Sequence, residues 1–116
     1  DMANTFKVIT KANVTSADVI YTVAGSTTTV ILGLVLGNTT TSQVTATVSL
    51  ASDTGSRAGA NNEANQTVEL VTNAPIPAGS SLEMLAGNKV VMETTDALSV
   101  TGSGSADVCL SIMEIT

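Results

Sequence analysis

The chain has 116 residues, of which 43% are apolar, 12% are charged, 2% are aromatic and roughly a quarter are Ser or Thr. Ten acidic and four basic residues give a net charge of −6, which excludes the basic patch that binds nucleic acid or an anionic membrane. The absence of His and the single Cys exclude His-dependent triads, zinc sites and an intrachain disulfide. We therefore expect one small domain, spanning residues 1–116, with no cofactor.

Short segments rich in Val, Ile and Thr alternate with clusters of Gly, Asn, Asp and Ser, which is typical of strands separated by turns. The candidate strands are residues 5–10, 17–24, 28–36, 43–51, 66–72, 81–86, 89–94, 98–101 and 107–115. About eight short strands predict an all-β, antiparallel two-sheet β-sandwich, with jelly-roll and immunoglobulin-like topologies both open. The longest apolar run, residues 30–36, is far shorter than the roughly 20 residues of a membrane-spanning helix.

Connections between the candidate strands differ in length and chemistry. Gly25, Gly37 and Gly87 stand in short turn signals that predict hairpins. The two prolines of residues 73–79 predict an extended segment that crosses from one sheet to the other. Residues 52–65 form a long loop without periodicity, and residues 1–12 form an extended N-terminal segment that could pair with a neighbour.

Alternation along the strands predicts which side chains are buried. Strand 43–51 has one apolar face and one hydroxyl face. Strand 28–36 is apolar on both faces, with Val30, Leu32, Leu34 and Leu36 on one and Ile31 and Val35 on the other. In strand 107–115, Val108, Leu110 and Ile112 oppose Cys109, Met113 and Ile115.

A small domain has too little interior to bury both faces of two strands, so we expect a neighbouring subunit to cover the second face. The alternative is a loop or terminus folded across it. The candidate interface residues on these strands are Ile31, Val35, Met113 and Ile115. Further candidates for contacts with neighbouring proteins are Lys7 in the N-terminal segment and Arg57, Asn61 and Asn62 in the long loop. We expect a homo-oligomer, preferably a trimer.

Other candidate sites have simpler structural explanations. The oxygen donors Asp53, Asn61, Asn62, Glu63 and Asn65 could surround Ca²⁺, but they lack the alternate spacing of a calcium loop. A pair of strand carboxylates could hydrolyse glycosides, but sugar sites usually present an aromatic platform. The only rings, Phe6 and Tyr21, are expected in the core, and Cys109 is expected to be a buried, inert thiol.

Several motifs resemble those of small virion structural proteins of tailed bacteriophages, including marine and cyanobacterial phages. They are APIPAGSSLE at 74–83, GNKVVME at 87–93, DALSV at 96–100, ADVCLSIMEI at 106–115 and the hairpin-like segment VIYTVAGSTTTVILGLVLGNTT at 19–40. The resemblance implies a β-sandwich subunit of the virion that works through contacts and has no catalytic residues.

Together these observations predict a capsid decoration or cement subunit, located in the virion, that binds itself and the major capsid protein or other virion proteins. A neck or tail subunit is one alternative. A host-binding module of a tail fibre or an adhesin, with residues 52–65 as the recognition tip, is another.

Overall fold

The computed structural model describes residues 3–53, 55 and 64–116. Within these residues the chain forms nine β-strands and no helix. The strands are β1 (Asn4–Val14), β2 (Ala17–Thr22), β3 (Thr28–Asn38), β4 (Val44–Ala51), β5 (Thr67–Ile76), β6 (Ser81–Met84), β7 (Val90–Met92), β8 (Ala97–Gly102) and β9 (Ala106–Ile115). Every candidate strand is confirmed, and the largest differences are that β1 and β5 continue to Val14 and Ile76.

The strands form two antiparallel sheets packed against each other. Sheet A has the order β1-β9-β3-β6, with β7 also paired to β3, and sheet B has the order β2-β8-β4-β5. The chain changes sheet at almost every connection, and within the described residues only β4 to β5 and β6 to β7 stay in one sheet. The predicted two-sheet sandwich is confirmed, and its strand order is that of a jelly roll.

The three predicted hairpins are wrong. Gly25 lies between β2 in sheet B and β3 in sheet A, and Gly37 precedes a passage from sheet A to sheet B. Gly87 lies between β6 and β7, which pair with successive parts of β3 and so form one interrupted strand. Turn residues specify local backbone angles, but they do not specify which strand the chain meets next.

The chain crosses between the sheets after the prolines, as predicted, although the crossing begins after Ile76 and not at residue 73. Pro75 belongs to β5 and lies opposite Thr45 at the edge of sheet B, where a missing N–H is tolerated. Residues 77–80 then carry the chain to β6 in sheet A.

A β-bulge in β3 changes which of its residues are buried. Ile31 pairs with Ile112 and Gly33 pairs with Ser111, so Leu32 is an extra residue and the alternation inverts there. Ile31 is completely buried, and it shares the inner side with the residues that follow the bulge, Leu34 and Leu36. The prediction that Ile31 lies on the outer face is therefore wrong, and this residue cannot contact a neighbouring subunit.

The hydrophobic core lies between the two sheets. Its fully buried side chains come from both, and they include Ile31, Leu34, Leu36, Ile76, Met92, Leu98, Val48, Val100, Leu110 and Ile112. In β4 and β9 the predicted alternation is confirmed, because the expected apolar positions of both strands point inward. Where β1 ends against β8, a Cβ on Gly102 would lie 2.5 Å from the Val14 carbonyl oxygen, so the close approach requires glycine.

Asn38 is a buried polar residue that fastens the passage from β3 to β4. Its Nδ2 donates to the carbonyl oxygens of Ser42 and Ile76, at 2.8 and 2.9 Å, and its Oδ1 accepts from the Thr40 amide at 2.8 Å. Because the amide is buried and fully bonded, Asn38 has a structural role.

Candidate interaction surfaces

The outer side of sheet A carries a continuous set of uncharged side chains, which we call the apolar face. Strand pairing aligns these residues in rows that cross β1, β9 and β3; one row continues to Val91 of β7, and the row of Val35 continues to Glu83 of β6. The rows are Asn4, Ile115 and Thr28; Phe6, Met113, Val30 and Val91; Val8, Ser111 and Gly33; and Thr10, Cys109 and Val35.

The most exposed large side chains of the apolar face lie on its two edge strands. Phe6 and Val8 of β1 are 71% and 62% exposed, and Val91 of β7 is 60% exposed. The prediction that Phe6 lies in the core is wrong. Position 6 lies opposite Met113 on the outer side, and the inner side of β1 is instead formed by residues such as Lys7 and Ile9.

The other predicted interface residues have different positions. Val35, Met113 and Ile115 lie on the apolar face, as alternation indicated. Lys7 lies on the inner side of β1, opposite the buried Ile112, and its ammonium group reaches a carboxylate. Arg57, Asn61 and Asn62 lie outside the described residues. The role of these residues in an interface stays a prediction.

The outer side of sheet B has a different chemistry. On its central strands, β8 and β4, the outward residues are mainly Ser and Thr: Ser99, Thr101, Thr45, Thr47 and Ser49, with Ala97 and Ala51 at one end. We call these residues the hydroxyl face. On the outer side of sheet B as a whole, the most exposed large apolar side chain is Val19 of the edge strand β2, at 59%.

A polar cluster joins the two sheets at one end of the sandwich. Glu114 accepts an ion-paired hydrogen bond from Lys7 Nζ through Oε1 at 2.6 Å, and a hydrogen bond from the Tyr21 hydroxyl through Oε2 at 2.6 Å. Thr29 Oγ1 lies 2.7 Å from the same hydroxyl, so it donates to Tyr21, whose own proton is directed at Glu114. We call these four residues the inter-sheet clasp, since Tyr21 belongs to sheet B and the other three to sheet A.

The clasp changes the acidity of two of its members. Hydrogen bonds from Lys7 and Tyr21 hold the pKa of the Glu114 carboxyl below its ordinary value. Burial, reinforced by the bond to Glu114, raises the pKa of the Tyr21 hydroxyl to about 12. Glu114 is therefore an anion and Tyr21 a neutral donor at neutral pH. A bulge at Ile20 turns Tyr21 inward while Val19 stays outside, and Tyr21 packs against the core as predicted. The sequence patterns did not indicate the clasp, because its members come from four strands that are far apart in sequence.

Cys109 is half-buried and faces outward, so the prediction of a buried thiol is wrong. It lines an open groove of about 370 Å³ at one end of the apolar face, together with Thr10, Lys11 and Val35.

Near the long loop, side chains that carry oxygen atoms form hydrogen bonds with other groups of the protein. Asp96 is buried, and its two oxygens accept from the backbone amides of Asp53 and Glu93 at 2.7 and 2.9 Å. Asn65 donates to the Ser52 hydroxyl at 2.9 Å. Across residues 3–53, 55 and 64–116, no group of three or more His, Cys, Asp or Glu side chains is placed to hold a metal ion.

In this same part of the chain there is no helix that is long and apolar enough to cross a membrane.

The known proteins that resemble this chain do so at the level of fold. No protein-family model and no curated protein matches the sequence. A chain from Bacillus endospore appendages, described as disulfide-linked pili, matches with 16% identity and a TM-score of 0.43, over 97% of this chain and 86% of that one.

Two chains of the infectious bursal disease virus particle also match, each with 10% identity over 97% of this chain. One is from the T13 particle, with a TM-score of 0.50, and one is from the Gx strain, with a TM-score of 0.52. This chain spans about a third of their lengths, since it covers 35% and 32% of them. The two viral chains thus contain a β-fold similar to the jelly roll formed here.

Proposed function

We propose that the chain is a structural subunit of a bacteriophage virion, and that it acts as a capsid decoration or cement subunit. Its partners are further copies of itself and the major capsid protein or another virion protein. The function consists of contacts and involves neither catalysis nor a cofactor.

The apolar face is the single observation that carries this proposal. Phe6, Val8 and Val91 are more than half exposed on a sheet whose inner side already forms the core. A large exposed apolar patch on a small domain is typical of a surface that is covered in an assembly. The jelly-roll fold and the likeness to chains of virus particles support a structural role.

The chemistry available in the rest of the described chain supports a contact function. Acidic side chains that could have served catalysis take part in holding the fold, as Glu114 does in the clasp and Asp96 does with two backbone amides. The sequence contains no His, and its single Cys is on the apolar face.

A decoration subunit would stabilise a shell by binding the assembled state in preference to separated shell subunits. Several weak contacts made at once by linked copies would raise the total affinity well above that of one contact. In this proposal the apolar face, including Val35, Met113 and Ile115, forms the contacts between subunits of the oligomer. Lys7 and the loop residues Arg57, Asn61 and Asn62 contact the shell.

The proposal is tested by mixing the purified chain with phage heads from the phage that encodes it, after the heads have been stripped of accessory proteins. We expect the chain to sediment with the heads and to raise the temperature at which they release DNA. Antibody labelling in negative-stain images should place it on the head. Labelling confined to the neck or tail, or to fibre tips with binding to host cells, would contradict the decoration role.

A further inference from the structure

The apolar face has the properties of a surface that is complementary to itself. Across β1, β9 and β3 its four rows contain no charged side chain, although the whole chain has a net charge of −6, and Glu83 continues the last row beside Val35 on the edge strand β6. Two identical acidic proteins repel each other, and a surface without charge is where that repulsion is weakest at contact. A partner of opposite charge would instead be attracted to the acidic surfaces elsewhere.

Strand pairing places two acidic side chains on this side of sheet A, and both lie towards the same end. Glu83 lies beside Val35 in the last row of the apolar face, on the edge strand β6, and Asp107 lies beside Gly37, beyond that row. If a two-fold axis crosses the strands near Ser111 and Gly33, the acidic ends of two copies lie at opposite ends of the contact. An axis along the strands would superpose the two acidic ends, and like charges would then face each other.

The size of this side of sheet A agrees with a specific but modest interface. Three strands of about ten residues and a fourth position filled by the short β6 and β7, spaced about 4.8 Å apart with about 3.4 Å per residue, present at most roughly 650 Å² per copy. Two copies would bury at most roughly 1,300 Å², which is near the lower limit of specific protein interfaces. Such a contact is strengthened when several contacts act together.

We propose that the apolar face binds the same face of a second copy of this chain across a two-fold axis. The inference deepens the proposed function and rests on it, because it names the contact through which copies associate. It also replaces the trimer preferred from the sequence, since a face that pairs with itself closes a dimer. Ser111 and Gly33, small residues in the middle row, let the two sheets approach closely at the axis.

The first test compares two matched variants by sedimentation equilibrium over a concentration series. Val8→Glu places a charge on the apolar face, and Val19→Glu places one at a similarly exposed valine of an edge strand on the opposite side. We expect the wild type and Val19→Glu to dimerise alike, and we expect Val8→Glu to dissociate at least about ten-fold more readily because a charge would be desolvated. Circular dichroism should show that both variants are folded, because each side chain is mostly exposed.

The second test locates the axis by disulfide formation in a Cys109→Ala background. Ser111→Cys lies near the proposed axis and should cross-link to its own counterpart under mild oxidation. Ser99→Cys is the matched control, because Ser99 is also a half-buried serine on a central strand, on the hydroxyl face. Equal cross-linking of the two variants would overturn the proposed face.

Other outcomes separate this inference from the proposed function. A wild type that stays monomeric at millimolar concentration, or forms a trimer, overturns the inference. If such a monomer binds phage heads and Val8→Glu loses that binding, the face belongs to a shell protein, and only the inference fails. If the chain dimerises as described and binds no particle, only the proposed function fails.

Discussion

Sheets A and B use their inner sides in the same way and their outer sides differently. Both bury alternating apolar side chains in the common core, as Leu110 does in sheet A and Val100 does in sheet B. On the outer side, the central strands of sheet A carry Met, Val and Cys, whereas those of sheet B carry mainly Ser and Thr. Because the inner sides suffice to form the core, the apolar residues outside sheet A are available for contacts with other molecules.

The largest expected effect separates the inner and outer sides of β3. Ile31→Ala should lower the free energy of unfolding by about 2–5 kcal/mol, because it leaves a cavity in the core. Val35→Ala, on the apolar face, should cost about 1 kcal/mol or less. Urea denaturation measures both values. Equal losses would contradict the inversion at Leu32.

The inter-sheet clasp should contribute less than a core side chain. Tyr21→Phe and Glu114→Ala should each lower the free energy of unfolding by about 1–2 kcal/mol, because each removes the partly buried hydrogen bond between the two side chains. The double variant should lose less than the sum of the two, since both changes remove the same bond. Strict additivity in a double-mutant cycle would show that the two side chains do not act together.

The clasp also predicts a dependence of stability on pH. The pKa of Glu114 is lowered by folding, so its stabilisation is complete above about pH 4.5 and is lost as the pH falls through the lowered value. The pKa of Tyr21 is raised from 10.0 to about 12, so its stabilisation is complete below pH 10 and is lost as the pH rises towards 12.

Thermal unfolding of wild type and Glu114→Gln across acid pH measures the first of these effects. The two stability curves should converge as the pH falls below about 4.5. Glu83→Gln, at an exposed glutamate of β6, is the control and should follow the wild type. A constant difference between wild type and Glu114→Gln down to pH 2 would argue against the ion pair.

The smallest expected effects come from exchanging the chemistry of the two outer faces. Ser99→Val on the hydroxyl face and Val8→Ser on the apolar face should each change the free energy of unfolding by about 0.5 kcal/mol or less. Both positions lie outside the core, so folding does not depend on the difference between the faces. A loss of several kcal/mol at either position would mean that the outer sides also hold the fold together.

Sequence patterns predict most of the strands, but they predict fewer of the contacts between strands. The nine strands are predictable because β-branched and apolar residues recur between turn residues, as they do in β4 and β9. The positions of Ile31 and Phe6 are not predictable in this way. A bulge inverts the alternation in β3, and the inner side of β1 accommodates Lys7 because its ammonium group is paired with the Glu114 carboxylate at 2.6 Å.

Composition and alternation by themselves determined an all-β sandwich, a scarcity of catalytic groups, and a surplus of apolar residues on strands that already supply the core. Those properties depend on neighbours along the chain, which the sequence displays directly. Only the tertiary structure decided that the sheets form a jelly roll, that Phe6 and Val8 share a face with Met113, and that Tyr21 meets Glu114. These pairings join residues far apart in sequence, and bulges, which shift the alternation by one residue, determine which side chains meet.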